Sequence, residues 1–169
     1  MPFLYPRRSV FVSETEVGAE IEGVYRADSA RLERALTLFA GDREVARDAV
    51  SEAFAQALYA RHRIRHPQAW VWRAAYRIAA GELARRRRER STTHPEPTYE
   101  MAESLVDLIE ALAGLSPKQR ASVVLHHYAG YPIRNVARII GSTPAAVAVH
   151  LSIGRKRLRE MLEEQDEGS

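Results

Sequence analysis

YPIRNVARIIGSTPAAVAVHLSIGRKRLREML, running from Tyr131 to Leu162, is the stretch whose reading decides the fold. Ile133, Val136, Ala137 and Ile140 recur at three- and four-residue steps, the inner face of a short helix. Gly141 permits a tight turn, and Ser142 or Thr143 can cap a second helix opening at Pro144. In that helix Val147, Leu151, Gly154, Leu158 and Met161 alternate four- and three-residue steps. Ala137, Gly141 and Val147 have the spacing of a helix-turn-helix. The small side chain lets two helices approach, the glycine turns the chain, and the valine packs between them. An ordinary helical hairpin shares part of this pattern, but here Arg155, Lys156, Arg157 and Arg159 follow directly.

Upstream, Ser116-Pro117 has the cap-then-proline order of a helix start, and a short helix is expected over Ser104 to Ala113. Before it, Ser91 to Glu100 reads STTHPEPTYE. Its two prolines and lack of apolar periodicity predict a flexible linker. Further back, helices are expected over Glu16–Ala27 and Ala30–Ala40, the second stopped by Gly41. Asp42 can cap a third, running to Tyr59, whose apolar stripe is Val45, Ala49, Val50, Ala53, Phe54 and Ala57. A fourth opens at Pro67 and runs to Arg90. No strand-type alternation and no internal repeat is present. The expected fold is all-α: two small helical domains, 16–90 and 104–163, joined by a linker over 91–103. An N-terminal tail (1–15) and an acidic tail (164–169) flank them.

The formal net charge is only +3, but it is unevenly placed. Arg61 to Arg90 holds ten arginines against Glu82 and Glu89, a block of +8 that leaves −5 for the remainder. Such a block fits a polyanion, nucleic acid first, although a solvated helix face would also carry it. With no cysteine in the chain, disulfides, thiolate chemistry and cysteine-held zinc are excluded. No apolar run approaches the ~18 residues of a membrane span, so no membrane insertion is expected. The N-terminus does not read as a signal peptide, and the cytoplasm is the expected compartment.

On the fourth helix Val71, Trp72, Ala75, Ile78, Ala79 and Leu83 share one half, expected to face a core. Trp70, Arg73, Tyr76, Arg77 and Arg88 fall on the other half. Aromatics beside arginines can stack on unpaired bases while the arginines meet phosphates. Trp70 could equally pack under the preceding loop. His126-His127 come without a carboxylate cluster or nucleophile motif, and partly buried histidines are the better account. His62 and His66 stand four apart, a metal-ligand spacing, but with no further ligand they read as loop residues. No catalytic group, metal or cofactor is expected, and the chain does not read as an enzyme.

In this arrangement the chain resembles the extracytoplasmic-function (ECF) group of the sigma-70 family, transcription factors reduced to regions 2 and 4. GDREVARDAVSEAFAQAL is similar to the stretch of region 2 that docks on the polymerase β′ clamp. PQAWVWRAAYRIAAGELARRRRER resembles the promoter-melting helix. LAGLSPKQRASVVLHHYAGYPIRNVARIIGSTPAAVAVHLSIGRKRLREML resembles region 4 from end to end. The resemblance implies polymerase contacts through Asp48, Ser51, Glu52 and Gln56. It implies −10 and melting contacts through Arg61, Arg63, Arg65, Trp70, Arg73, Tyr76, Arg77 and Arg88. It implies −35 contacts through Thr143, Ala145, Ala148, Val149, Ser152, Arg155, Lys156 and Arg159. The implied partners are core RNA polymerase (β′ clamp and β flap), promoter DNA and an anti-sigma factor.

The sequence also departs from the family pattern. Ser51-Glu52 stands where Gln-Glu is usual, Leu58 where tryptophan is common, Arg77 where asparagine is typical and Gly81 where aspartate is. Ala148-Val149-His150 replaces a Lys-Ser-Arg run. Two other readings therefore stay open: a degenerate sigma-like regulator that binds polymerase without promoter specificity, and a stand-alone helix-turn-helix repressor.

Overall fold

The computed structural model of the chain describes residues 14–89 and 103–167, and among these every regular element is helical. The first module holds α1 (Glu14–Ala40), α2 (Arg43–Tyr59), a 3₁₀ turn (Arg61–Arg63) and α3 (Pro67–Glu89). The second holds α4 (Glu103–Ala113), α5 (Pro117–Val123), a π-helical turn (Val124–Tyr128), α6 (Ile133–Ile140) and α7 (Pro144–Glu167). The expected linker falls largely outside the described residues.

Caps set the boundaries. Gly41 ends α1 in the left-handed conformation, φ 71°, and its N–H donates to the Thr37 carbonyl. Asp42 then opens α2, its Oδ1 accepting the N–H groups of Glu44 and Val45 at 2.8 and 3.2 Å. Ser116 opens α5 with a reciprocal capping box to Gln119, and Pro117 takes the first turn.

One expectation fails. The two helices expected on either side of Asp28 and Ser29 are a single α1 of 27 residues. Asp28 does not turn back to cap a second helix. Its carboxylate accepts from Gln68 Nε2 at 2.7 Å, Trp72 Nε1 at 3.2 Å and Arg31 Nη2 at 3.1 Å. The aspartate that reads as a break is instead a buried acceptor for α3.

In the first module α1, α2 and α3 pack on one another; in the second, α7 packs on α5, α6 and α4. The modules also pack together. α1 meets α4, α5 and the π-helical turn, and α3 meets α6, so one apolar core runs from Ile21 through Trp72 to Val147. Arg120, on α5, is buried at this seam. It donates to the Phe39 carbonyl at 2.9 Å, and to those of Leu115 and Ala113 at 3.1 and 3.4 Å. Phe39 lies in the last turn of α1, where carbonyls lack helical donors and the dipole favours a cation. Burial, with a smaller contribution from Arg87, lowers the Arg120 pKa from its usual value.

Candidate nucleic-acid interface

The helix-turn-helix forms as its spacing predicts. Gly141 sits at φ 65°, ψ 48°, and the Ser142 N–H donates to the Ala137 carbonyl at 2.8 Å. Ala137 and Val147 are buried where α6 meets α7. Thr143 supplies the cap: its Oγ1 accepts the Ala146 N–H at 3.2 Å. Gly154 allows α7 to approach α5, since a Cβ there would stand 2.9 Å from Val123 Cγ2.

The outer side of α7 is what a groove would meet. Thr143, Ala145, Ala148, Val149, Ser152, Arg155, Lys156 and Arg159 are all exposed, and so is Ile153 at 39%. With Val149 56% exposed, the reading face is apolar. Its cations lie toward the C-terminal half, where Lys156 pairs with Glu160 at 3.8 Å. Ile153 was missed in the sequence, where only its neighbours were placed outward.

On α3 the structure keeps Arg73, Arg77 and Arg88 exposed and Trp70 half-buried. Trp70 closes a shallow groove with Glu52, Ala55, Gln56, Tyr59 and Ala60, which joins the candidate base-stacking face to α2. Arg61, Arg63 and Arg65 are exposed on the turn before α3, with Arg61 Nη1 donating to the Leu58 carbonyl. Tyr76 is the correction. It is 8% exposed, its ring centroid lies 5.1 Å from that of Phe39, and burial raises its pKa. α3 packs against α1, α2 and α6, so more than half of its circumference is covered and Tyr76 is not on an outward face.

The basic block is also narrower than its sequence implies. Arg85 binds Glu82 and Glu89, and Arg86 bridges Glu82 and Asp42 at 2.7 Å each. Hydrogen bonds from Arg85 and then Arg86 pull the Glu82 pKa down to about 2. These two arginines serve the fold, and the exposed cations lie at Arg61–Arg65, Arg73, Arg77 and Arg88.

On α2, Asp48, Ser51, Glu52 and Gln56 share the exposed side, with Gln56 Nε2 donating to Glu52 Oε1 at 2.7 Å. Asp48, Ser51 and Glu52 line an open groove between α2 and α3 with Ile78, Glu82 and Arg86. At the π-helical turn the His126 and His127 rings come within 4.8 Å. His126 Nδ1 bonds the Tyr131 carbonyl, while His127 is exposed, contrary to its expected partial burial. Among the described residues no cluster of three metal-ligating side chains occurs, and no single helix is long and apolar enough to cross a membrane.

Comparison with known proteins follows the same division. Residues 105–158 match the family model of sigma-70 region 4. No curated protein matches the chain. Two solved structures share its fold across both modules. CnrH, in complex with the cytosolic domain of CnrY, is 18% identical with a TM-score of 0.72, covering 89% of this chain and 95% of that one. The sigma factor RpoE from Bartonella quintana, in complex with the anti-sigma factor NepR, is 22% identical with a TM-score of 0.68, covering 86% and 95%. The resemblance drawn from the sequence is borne out: residues 105–158 are a sigma-70 region 4 domain, set in a chain with the two-module fold of a sigma factor.

Proposed function

We propose that this chain is a sigma factor, which joins core RNA polymerase, brings it to promoter DNA and takes no part in the chemistry of RNA synthesis. The observation that carries this reading is the region 4 match over residues 105–158, laid on a helix-turn-helix whose second helix is free on its outer side. α2 docks on the β′ clamp through Asp48, Ser51, Glu52 and Gln56. The turn from Arg61 to Arg65 and the outer face of α3, with Trp70, Arg73, Arg77 and Arg88, hold the opened −10 strand. α7 lies in the major groove of the −35 element, and region 4 meets the β flap. CnrH was solved with CnrY and RpoE with the anti-sigma factor NepR, and an inhibitory partner of that class is proposed for this chain.

In-vitro transcription with core polymerase on a genomic promoter library tests the reading. Defined start sites that need both the chain and core polymerase are expected. A second reading has one observation in its favour, the apolar outer face of α7 at Ala145, Ala148, Val149 and Ile153. A regulator that binds polymerase without reading promoters would co-purify with core but give no start sites. A stand-alone repressor would shift duplex DNA without polymerase.

A further inference from the structure

The seam between the two modules holds more polar chemistry than packing alone requires. The Arg31 guanidinium, on α1, sits at its centre. Nη2 pairs with Asp28 at 3.1 Å, and Nη1 donates to the Ala129 carbonyl, 98 residues away, at 3.2 Å. The same guanidinium lies 5.1 Å from the Trp72 ring of the first module and 5.7 Å from the Tyr131 ring of the second. Those two rings meet edge to face at 5.0 Å. At the far end of the seam Arg120 reaches across to the last turn of α1. Each module lends the other a cation or an aromatic face, and Asp28, held also by Gln68 and Trp72, fixes the aim of Arg31.

Such a closed body is too small for its task. A compact chain of this length has a radius of gyration of about 15 Å, hence a diameter of about 40 Å. Elements named −10 and −35 lie about 25 base pairs apart, roughly 85 Å of duplex at about 3.4 Å per pair. The 13 residues between Glu89 and Glu103 can reach about 45 Å when extended, which supplies the missing span. α3 and α6 cannot remain packed while α3 holds one element and α7 reads the other.

We infer that the seam is an intramolecular latch: the free chain rests closed, held by Arg31 on Ala129, Trp72 and Tyr131 and by Arg120 on Phe39, and must open to engage a promoter. This rests on the proposed sigma-factor function. CnrH and RpoE were each solved with a second protein bound, whereas these contacts lie within one chain. Opening exposes the Trp72–Tyr131 contact and frees the α6-facing side of α3. A polymerase that binds only the open chain sees an affinity reduced by the open fraction.

The full-length chain has no cysteine, so Arg34→Cys on α1 and Lys118→Cys on α5, both exposed, give a clean spin-label pair across the seam. A single short distance is expected in the free chain, and a long one in the complex with core polymerase and promoter. Arg31→Ala removes a charged hydrogen bond and a cation–π contact. It should raise the open fraction about tenfold and tighten core binding by a similar factor. Tyr131→Phe should change neither, since the Tyr131 hydroxyl is buried without a partner. An unchanged distance distribution in folded Arg31→Ala overturns the latch. A short distance in the wild-type promoter complex overturns the need to open. If the distances respond as expected but no variant binds core polymerase, the latch stands and the sigma-factor reading falls.

Discussion

At the scale of the residue, Asp42 shows how one carboxylate can serve two elements. Oδ1 caps α2, while Oδ2 takes Arg86 from α3 at 2.7 Å, 44 residues away. Burial works to raise its pKa, but the Arg86 hydrogen bond and the two amide N–H groups outweigh it, and the net shift is downward. A carboxylate with a lowered folded pKa contributes stability that is present at neutral pH. That stability is lost as the pH falls through the folded value, so the loss begins below about 4. Asp42→Ala should cost about 1–2 kcal/mol at pH 7 in urea denaturation. The gap between variant and wild type should close as the pH is taken toward 2. A gap independent of pH would mean that the carboxylate's charge plays no part. Asp42 was legible as a cap because capping is local. Its bond to Arg86 was not, because nothing in the sequence brings residue 86 to it.

At the scale of the element, α2 and α7 carry opposite expectations. On α2, Asp48 and Glu52 stand one turn apart and are exposed, so they contribute little to the fold. Reversing both to Arg should abolish or strongly weaken co-purification with core polymerase while leaving the far-UV dichroism and thermal midpoint near those of the wild type. Retained co-purification would remove α2 from the polymerase interface. On α7 the outward residues give few hydrogen bonds to base edges, since only Ser152 and Lys156 are placed to make them. Alanine and valine can meet thymine methyls, and Arg155 and Arg159 can meet phosphates. Ala148→Lys should tighten holoenzyme binding about equally across −35 variants, and steepen the slope of log affinity against log salt by roughly 1. A gain confined to one −35 sequence would make the new lysine a base reader. No gain would turn the helix away from DNA. The stripe of α2 and the Ala137–Gly141–Val147 turn were readable because periodicity and turn chemistry act within a few residues. The continuity of α1 and the inward Tyr76 were not. The first depends on partners 40 and 44 residues away that occupy Asp28, and the second on Phe39 and the flanking helices of α3.

At the scale of the whole molecule, two modules were legible and their packing was not. Region boundaries come from composition shifts and caps. A seam made by Arg31, Trp72, Ala129 and Tyr131 draws on residues spread over most of the chain, each ordinary in its own segment. Trp72 nonetheless gives the seam a built-in optical readout. Its indole is 1% exposed, its N–H is bound to Asp28, and a guanidinium stands against its ring. The chain has two tryptophans, so Trp70→Phe leaves Trp72 as the sole indole emitter. In that background the resting chain should emit at the blue wavelengths of a dry indole, and Arg31→Ala should move the emission toward the red as water reaches the ring. A spectrum that does not move would place the indole outside any motion of the modules. If it does move, the fraction of chains standing open can be followed in real time by their own fluorescence, without a dye, a label or a partner.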